Sequence, residues 1–368
     1  MSGRTRSAYG ALALVCLWCA VSGFWASVGG SIAWCAPQQA GPVHVQVSTA
    51  EELVQAVARV GPGGGIIALR PGSYVVDKPL VFRQVHSLQV QGSGWSTCIR
   101  TRGAIDALVF EDCAFCVVRD VFICADSQPD TGSGIVFRGR CSSNTVDFCR
   151  ICQFGDSGVL FDGVADGPQS SNTISRCHFI DNRGAQLHSR HNNDFFFVQN
   201  QFGAHRYMGE RAPEHGALLD HSSAGTYTAN YHWSNRVALR MTGGCHYNRL
   251  ENNRFEMSYE QGVVLGGAGE EALWMNILSG NTFHTNSQGK SGEYAAVEAH
   301  SACDTTFCGN QVFSWNSATY RHRHSLWLAP GCRDWIVTGN IFRHNAAEAI
   351  RSDAAKNTII RDNLADEG

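Results

Sequence analysis

Polar and apolar positions alternate in short runs along most of this chain, and the runs recur. In Asn172-Thr-Ile174, and in Gly134–Phe137 where Ile135 and Phe137 share a face, the spacing is that of short strands, not the 3.6 residues of a helix. An eight-residue block ending in an apolar or aromatic residue appears at Phe115–Phe122, Asn144–Ile151, Asn172–Phe179, Phe195–Phe202, Thr226–Trp233, Asn248–Phe255, Asn276–Phe283, Thr306–Phe313, Trp335–Phe342 and Asn357–Leu364. The starts lie 22 to 31 residues apart, a period that marks a repeat architecture. Single short strands cannot bury themselves, so successive coils must stack. The sixth place of the block holds Asp120, Asn200, Asn253, Asn281, Asn340 or Asp362. Side chains repeated there predict a hydrogen-bonded ladder at a tight corner, as in a parallel β-helix.

One segment breaks the period of two. Thr49 to Glu52 forms a capping box, and Leu53, Ala56, Val57 and Val60 fall on one stripe, predicting a helix over 49–60 that closes the end of the coil's core. Ser48–Val75, which continues into a Gly turn, a strand and a Pro-Gly-x-Tyr corner, resembles the opening of right-handed parallel β-helix proteins of the pectin-lyase-like superfamily. The resemblance implies an all-β solenoid of about eleven coils over residues 43–368.

Composition adds compartment and excludes a partner. At 368 residues with a net charge of −3, the chain has a large core and no basic surplus for nucleic acid. Arg4 and Arg6 precede an apolar run from Ala11 to Val28, with a small-x-small site at Ser31-Ile-Ala33. Residues 1–36 therefore read as a signal peptide, or as an N-terminal membrane anchor if uncleaved. The folded part is expected to be secreted, periplasmic or in the cell envelope, and monomeric. In such a compartment cysteines predict disulfides. Cys141, Cys245, Cys303 and Cys332 each stand three residues before a block, and Cys149 and Cys177 take its sixth place, so buried columns with one or two bridges are expected.

Each coil carries a second strand upstream of the block. Aligned on Gly134, Gly158, Gly184, Gly216, Arg236, Gly262, Tyr294 and Ser325, these strands place Phe110, Phe137, Phe161, Leu187, Leu219, Leu239, Leu265, Val297 and Leu328 in one inward column. The next residues form an outward column: Glu111, Arg138, Asp162, His188, Asp220, Arg240, Gly266, Glu298 and Ala329. It reads either as a ladder of exposed ion pairs, each contributing roughly 0 to 1 kcal/mol, or as a substrate groove. Long loops beside it, carrying Arg206, Tyr207, His215, His322 and His324 among others, favour the groove. The resemblance implies that this sheet binds and cuts polysaccharide.

Two reactions compete. In hydrolysis Asp162 and Asp220, two coils apart, would serve as an inverting acid and base. In β-elimination His188 or His221 would remove the proton beside a uronate carboxylate, neutralised by Arg240, by Arg190, or by a calcium ion held by Asp162 and Asp220. Arg138, Arg190, Glu298, His221, Arg206, Tyr207 and Trp327 are the expected substrate contacts, and no other cofactor is implied. The polygalacturonase Asn-Thr-Asp, paired-Asp and Gly-His-Gly set is missing, as is the Trp-x-Asp-His of many pectate lyases. A non-catalytic carbohydrate-binding or structural envelope protein is the competing class.

Overall fold

The computed structural model describes residues 42–205, 211–315, 319–353 and 355–366. The leader expected at 1–36 lies outside the described residues, as do Arg206 and Tyr207. Among the described residues no helix is long and apolar enough to cross a membrane.

The helix expected over 49–60 runs Ala50–Arg59. Thr49 Oγ1 accepts from the Glu52 N–H at 3.1 Å, and the Glu52 carboxylate reaches back to the Ser48 N–H, so first-turn donors are satisfied. Leu53 and Ala56 are buried, and Val57 and Val60 pack against the same core.

After this helix the strands pair in parallel with their counterparts in the coils before and after. One sheet holds eleven strands, running coil by coil from Leu80–Arg83 to Ile350–Ser352. A wider sheet takes two strands from most coils, such as Thr173–Ser175 and His178–Ile180, bent at a corner between them. Aromatic rings fill the interior in files. Phe82, Phe110, Phe137 and Phe161 stack at 4.9 to 5.0 Å, and Phe179, Phe202, His232, Phe255 and Phe283 at 4.7 to 5.0 Å.

The corner explains the repeat. Asp120, Phe148, Arg176, Gln199, Ala229, Asn252, Gly280, Gly309, Gly339 and Asp362 all have φ between 51° and 67°. The left-handed turn aims the next residue into the core, and these next residues are Val121, Cys149, Cys177, Asn200, Asn230, Asn253, Asn281, Asn310, Asn340 and Asn363. The expected ladder thus forms, with one correction. Asp120 and Asp362 occupy the turn itself, because the first and last blocks start one residue early, while the Thr226 and Thr306 blocks start one residue late and put Asn230 and Asn310 in the fifth place, as the pairings Val117↔Thr145, Ile336↔Ile359, Thr226↔Arg249 and Thr306↔Ile336 require. From Asn200 to Asn340 each backbone N–H donates to the next coil's Asn Oδ1 at 2.8 to 3.0 Å. Gly309 separates backbone from packing: no neighbouring atom lies closer than 4.0 Å to where its Cβ would be. Gly309→Ala is expected to cost about 1 kcal/mol in denaturant unfolding, purely from the left-handed backbone. No measurable loss would mean that the corner does not need this conformation.

The cysteines overturn an expectation. All twelve described cysteines are free, and the nearest approach recorded between two thiols is 3.7 Å, from Cys98 Sγ to Cys124 Sγ. Instead of bridging, the thiols act as ladder members. Cys141 Sγ accepts the Cys113 N–H at 3.3 Å and donates to Phe110 O, Cys245 Sγ serves Ser222 N–H and Leu219 O in the same way, and Cys332 donates to Ala299 O. Burial pushes the Cys141 and Cys245 thiols up to about 12, so both keep the proton they donate. Cys303 lies one place later than expected, bridging to Arg333. His322 and His324, expected at the groove, are buried: His322 Nε2 accepts the Asn286 N–H at 2.9 Å and His324 Nδ1 lies 2.8 Å from Glu348 O.

Candidate functional site

Pairing across the eleven-stranded sheet resolves two outward files where the sequence suggested one. Val109, Val136, Leu160, His188, Leu218, Arg240, Val264, Glu298 and Trp327 share the first. Glu111, Arg138, Asp162, Arg190, Asp220 and Thr242 share the second, two residues further along each strand. The alignment on Gly184, Arg236 and Tyr294 slipped by two, since Gln186, Ala238 and Ala296 hold the place of Gly158 and Gly216. Side chains alternate with period two, so the slip kept His188, Arg240 and Glu298 on the outward face but moved them into the neighbouring file. Arg190, not His188, therefore stands between Asp162 and Asp220.

One end of the second file is an ion-pair ladder. Arg83 meets Glu111 at 2.6 Å, Arg138 lies 3.7 Å from Glu111 and 3.5 Å from Asp162, and Arg190 binds the other oxygen of Asp162. The arginines are 43 to 69% exposed at the side chain, so each pair contributes little, roughly 0 to 1 kcal/mol. The ladder stops at Asp220. Its Oδ1 lies 2.7 Å from His221 Nδ1, and the His221 ring lies 4.6 Å from that of His191. Gly243 makes room for this pair, because a Cβ there would stand 2.2 Å from His221 Nδ1.

Beside Asp220, in the first file, His188 is largely covered, and its Nε2 is buried with no hydrogen-bond partner. Burial holds its pKa below the ordinary 6.5, and the Asp220 carboxylate is the largest opposing influence. His215 is more strongly affected, pushed down to about 4 by burial and then by the cations Arg240 and Arg236 and by His188. Its Nδ1 likewise has no partner. Arg240 is aimed by Glu270, which it meets at 2.9 Å and which also accepts from Thr242 Oγ1. Glu298, 6% exposed, accepts from Ala295 N–H and Gln261 Nε2 and lies 3.4 Å from His300. Trp327 donates through Nε1 to Asp353 at 2.8 Å with the Arg351 guanidinium 5.2 Å from its ring. Glu260, raised by burial and by Glu298 against the opposing Arg236, was not singled out from the sequence, nor was Glu270. Glu270 lies in the lengthened loop after Gly266, the one signal that could have found it.

Calcium does not fit Asp162 and Asp220. Arg190 stands between them in the file, and both oxygens of Asp162 face guanidinium groups. Among the described residues no group of three or more His, Cys, Asp or Glu side chains is arranged to hold a metal ion.

The family model described as a right-handed beta helix region matches residues 65–230 and 215–368. No curated protein sequence matches the chain significantly. Among solved structures, the chain is similar to the Dettilon tailspike protein at 14% identity and a TM-score of 0.59, over 82% of this chain and 64% of that one. It thus spans just under two thirds of that tailspike's length. It is similar to DFA-IIIase from Arthrobacter chlorophenolicus A6 without its lid, at 13% identity and TM-score 0.59, over 88% of this chain and 96% of that one. The A-module of a mannuronan C-5 epimerase from Azotobacter vinelandii matches at 12% identity and TM-score 0.51, over 88% and 100%. At these identities the likeness is one of fold.

Proposed function

Because this chain belongs to the right-handed beta helix family, we propose that it is an exported, carbohydrate-active enzyme that acts on an acidic glycan along the two outward files. The observation that carries this reading is His188: an imidazole with an unpartnered Nε2 and a pKa lowered by burial, with Asp220 in the next coil as the largest opposing charge, Arg190 two residues along its own strand, and Arg240 two coils on in the same file. A neutral buried imidazole is a base that needs no prior deprotonation at pH 7. Arg240 and Arg190 supply positive charge for a uronate carboxylate, which acidifies the adjacent C–H. His188 Nε2 takes that proton, and the carbanion either expels the glycosidic oxygen, which takes a proton back from the His188 imidazolium or from water to leave a C=C bond and a new reducing end, or is reprotonated by water on the opposite face. Hydrolysis is less well supported, since Asp162 is engaged by two arginines and is not placed to activate water. The ladder from Arg83 to Arg190 favours a second reading, a rod that binds glycan without cutting it. Names among the fold neighbours, DFA-IIIase and mannuronan C-5 epimerase, are in keeping with a carbohydrate-active scaffold.

Incubating the protein with neutral and uronic-acid polysaccharides, while following reducing ends and absorbance near 235 nm, separates these readings. Elimination is expected to raise both signals on a uronan. Reducing ends without absorbance would transfer the chemistry to hydrolysis, and binding without either signal would leave the rod.

A further inference from the structure

A second site lies on the wide sheet, away from the files of His188 and Asp220. Strands Arg150–Cys152, His178–Ile180, Gln201–Gly203 and Tyr231–Trp233 stack in register, so Arg150, His178, Gln201 and Tyr231 form one outward file. Gly203 stands in the adjacent file where its neighbours are Ile180 and Trp233, and a Cβ on Gly203 would collide with the Trp233 ring at 2.0 Å. The glycine lets the indole lie down over the sheet. From the other side comes Trp95, carried on an irregularity where the pairing of Leu88–Thr101 with Val117–Ala125 shifts register between Gln91 and Cys98. Trp95 is 47% exposed and meets the His178 ring edge-on at 5.2 Å. Between the two indoles is a pocket of about 300 Å³ with Arg150, His178, Gln201 and Tyr231 in its lining.

Among the described residues no carboxylate pairs with the cation of this pocket. The Arg150 guanidinium lies 5.1 Å from the Trp95 ring and 5.4 Å from Phe122, and its Nε is buried without a hydrogen-bond partner. Other arginines on this sheet have carboxylates: Arg176 pairs with Asp147 at 2.6 Å, and Arg254 pairs with Glu256 while lying over Tyr231 at 4.7 Å. Tyr231 in turn donates to Glu256 and lies 5.0 Å from Trp233, bracing that indole. Burial and the Arg150 charge keep His178 neutral at pH 7. The lining thus offers one cation held by aromatic faces, two flat apolar walls, the neutral polar edges of Gln201 and His178, and the His205 ring 5.7 Å from that of Trp233.

We infer that this pocket binds a carboxylated sugar unit of an acidic glycan, with the pyranose face on the indoles, the carboxylate on Arg150 and hydroxyls on Gln201 and His178. The volume is at the lower end of the range for small-ligand pockets and fits one or two sugar rings, not a protein segment. Stacking on tryptophan, with a guanidinium for the carboxylate, discriminates a uronate from a neutral sugar. The site stands on its own residues and needs no turnover in the other groove.

The test is titration of the full chain with trigalacturonate and with maltotriose, by tryptophan fluorescence and calorimetry, for wild type, Arg150→Gln, Trp233→Ala, His188→Ala and Arg240→Gln. The wild type is expected to bind trigalacturonate at least tenfold tighter than maltotriose. Arg150→Gln should weaken the uronate by tenfold or more while leaving maltotriose, far-UV circular dichroism and any turnover unchanged. His188→Ala should leave this binding intact, and so should Arg240→Gln, which removes a carboxylate contact of the proposed groove and thereby separates the pocket from that groove. Unchanged trigalacturonate affinity in folded Arg150→Gln overturns the inference, as does equal affinity for the two trisaccharides in wild type. Should Trp233→Ala fail to fold, Arg150→Gln alone still decides.

Discussion

Replacing His188 by alanine is expected to lower kcat on a cleavable uronan by about 100- to 10,000-fold, the usual contribution of a positioned base, with circular dichroism and KM little changed. The position faces outward in a sheet whose inward neighbours Leu187 and Ser189 keep their packing, so the backbone has no reason to move. Asp220→Asn is expected to cost less, because Asp220 opposes the depression of His188 and pairs with His221 but is not the atom that takes the proton. The pH dependence carries a sign. Burial holds the His188 pKa below 6.5, so the base is already free at pH 7 and the acid limb of kcat/KM, which reports the free protein, must lie below 6.5. Stability moves in the same direction. His215 is pushed down to about 4 and His232 and His322 to about 3. The unfolded chain takes protons near 6.5 that the native chain refuses, so their stabilisation is full above 6.5 and is lost as pH falls toward 3 to 4. Rates at the acid end therefore count only where circular dichroism shows folded protein. An unchanged kcat in His188→Ala would remove the base from the mechanism; loss of both limb and rate would establish it.

The solenoid was legible because its signal is repeated: each coil writes the same alternation, and ten copies average out local noise. Register was less legible, and for a physical reason. A slip of two residues changes neither the facing nor the hydrophobicity of any position, so Gly184, Arg236 and Tyr294 could stand where Gln186, Ala238 and Ala296 belong without offending the pattern. Only the hydrogen-bonded pairing decides which outward residues are neighbours, and it puts Arg190 between Asp162 and Asp220. The thiols were misread from the opposite direction. Spacing correctly put Cys141, Cys245 and Cys332 in a column, but a cysteine's role depends on whether its partner is another thiol or a backbone group, and here Sγ meets N–H and C=O of the preceding coil. His322 shows the same ambiguity: a histidine in a long loop suggests function, yet it ends a ladder begun by Ser258 N–H on Asn286. Glu260 and Glu270 lay outside any strand alignment and became visible only when their loops were placed against Arg236 and Arg240.

The second large effect belongs to the asparagine ladder. Asn253 is 1% exposed, and its Oδ1 accepts from Asn230 N–H at 2.9 Å and Asn230 Nδ2 at 3.2 Å, while its Nδ2 donates to Tyr227 O and Asn281 Oδ1, both at 3.0 Å. Asn253→Ala removes all four contacts but keeps the backbone bond to Asn281. The Asn230 N–H is then buried without a partner, at about 1 to 3 kcal/mol, the Tyr227 carbonyl loses its side-chain donor, and a loss of roughly 2 to 4 kcal/mol is expected. Asn253→Asp is the sharper variant, since it keeps the shape and the acceptor but cannot donate to Tyr227 O and places an unpaired charge in the core; it should destabilise at least as much as alanine. The neighbouring Asn252→Ala, at an exposed left-handed corner, should cost far less. In a solenoid each coil depends mainly on its neighbours, so hydrogen exchange should lose protection first between Thr226 and Ser279, the coils on either side of Asn253, before the ends respond. A loss below about 1 kcal/mol, or protection lost evenly along the chain, would mean that aromatic stacking alone holds the coils together and that the ladder merely accompanies it.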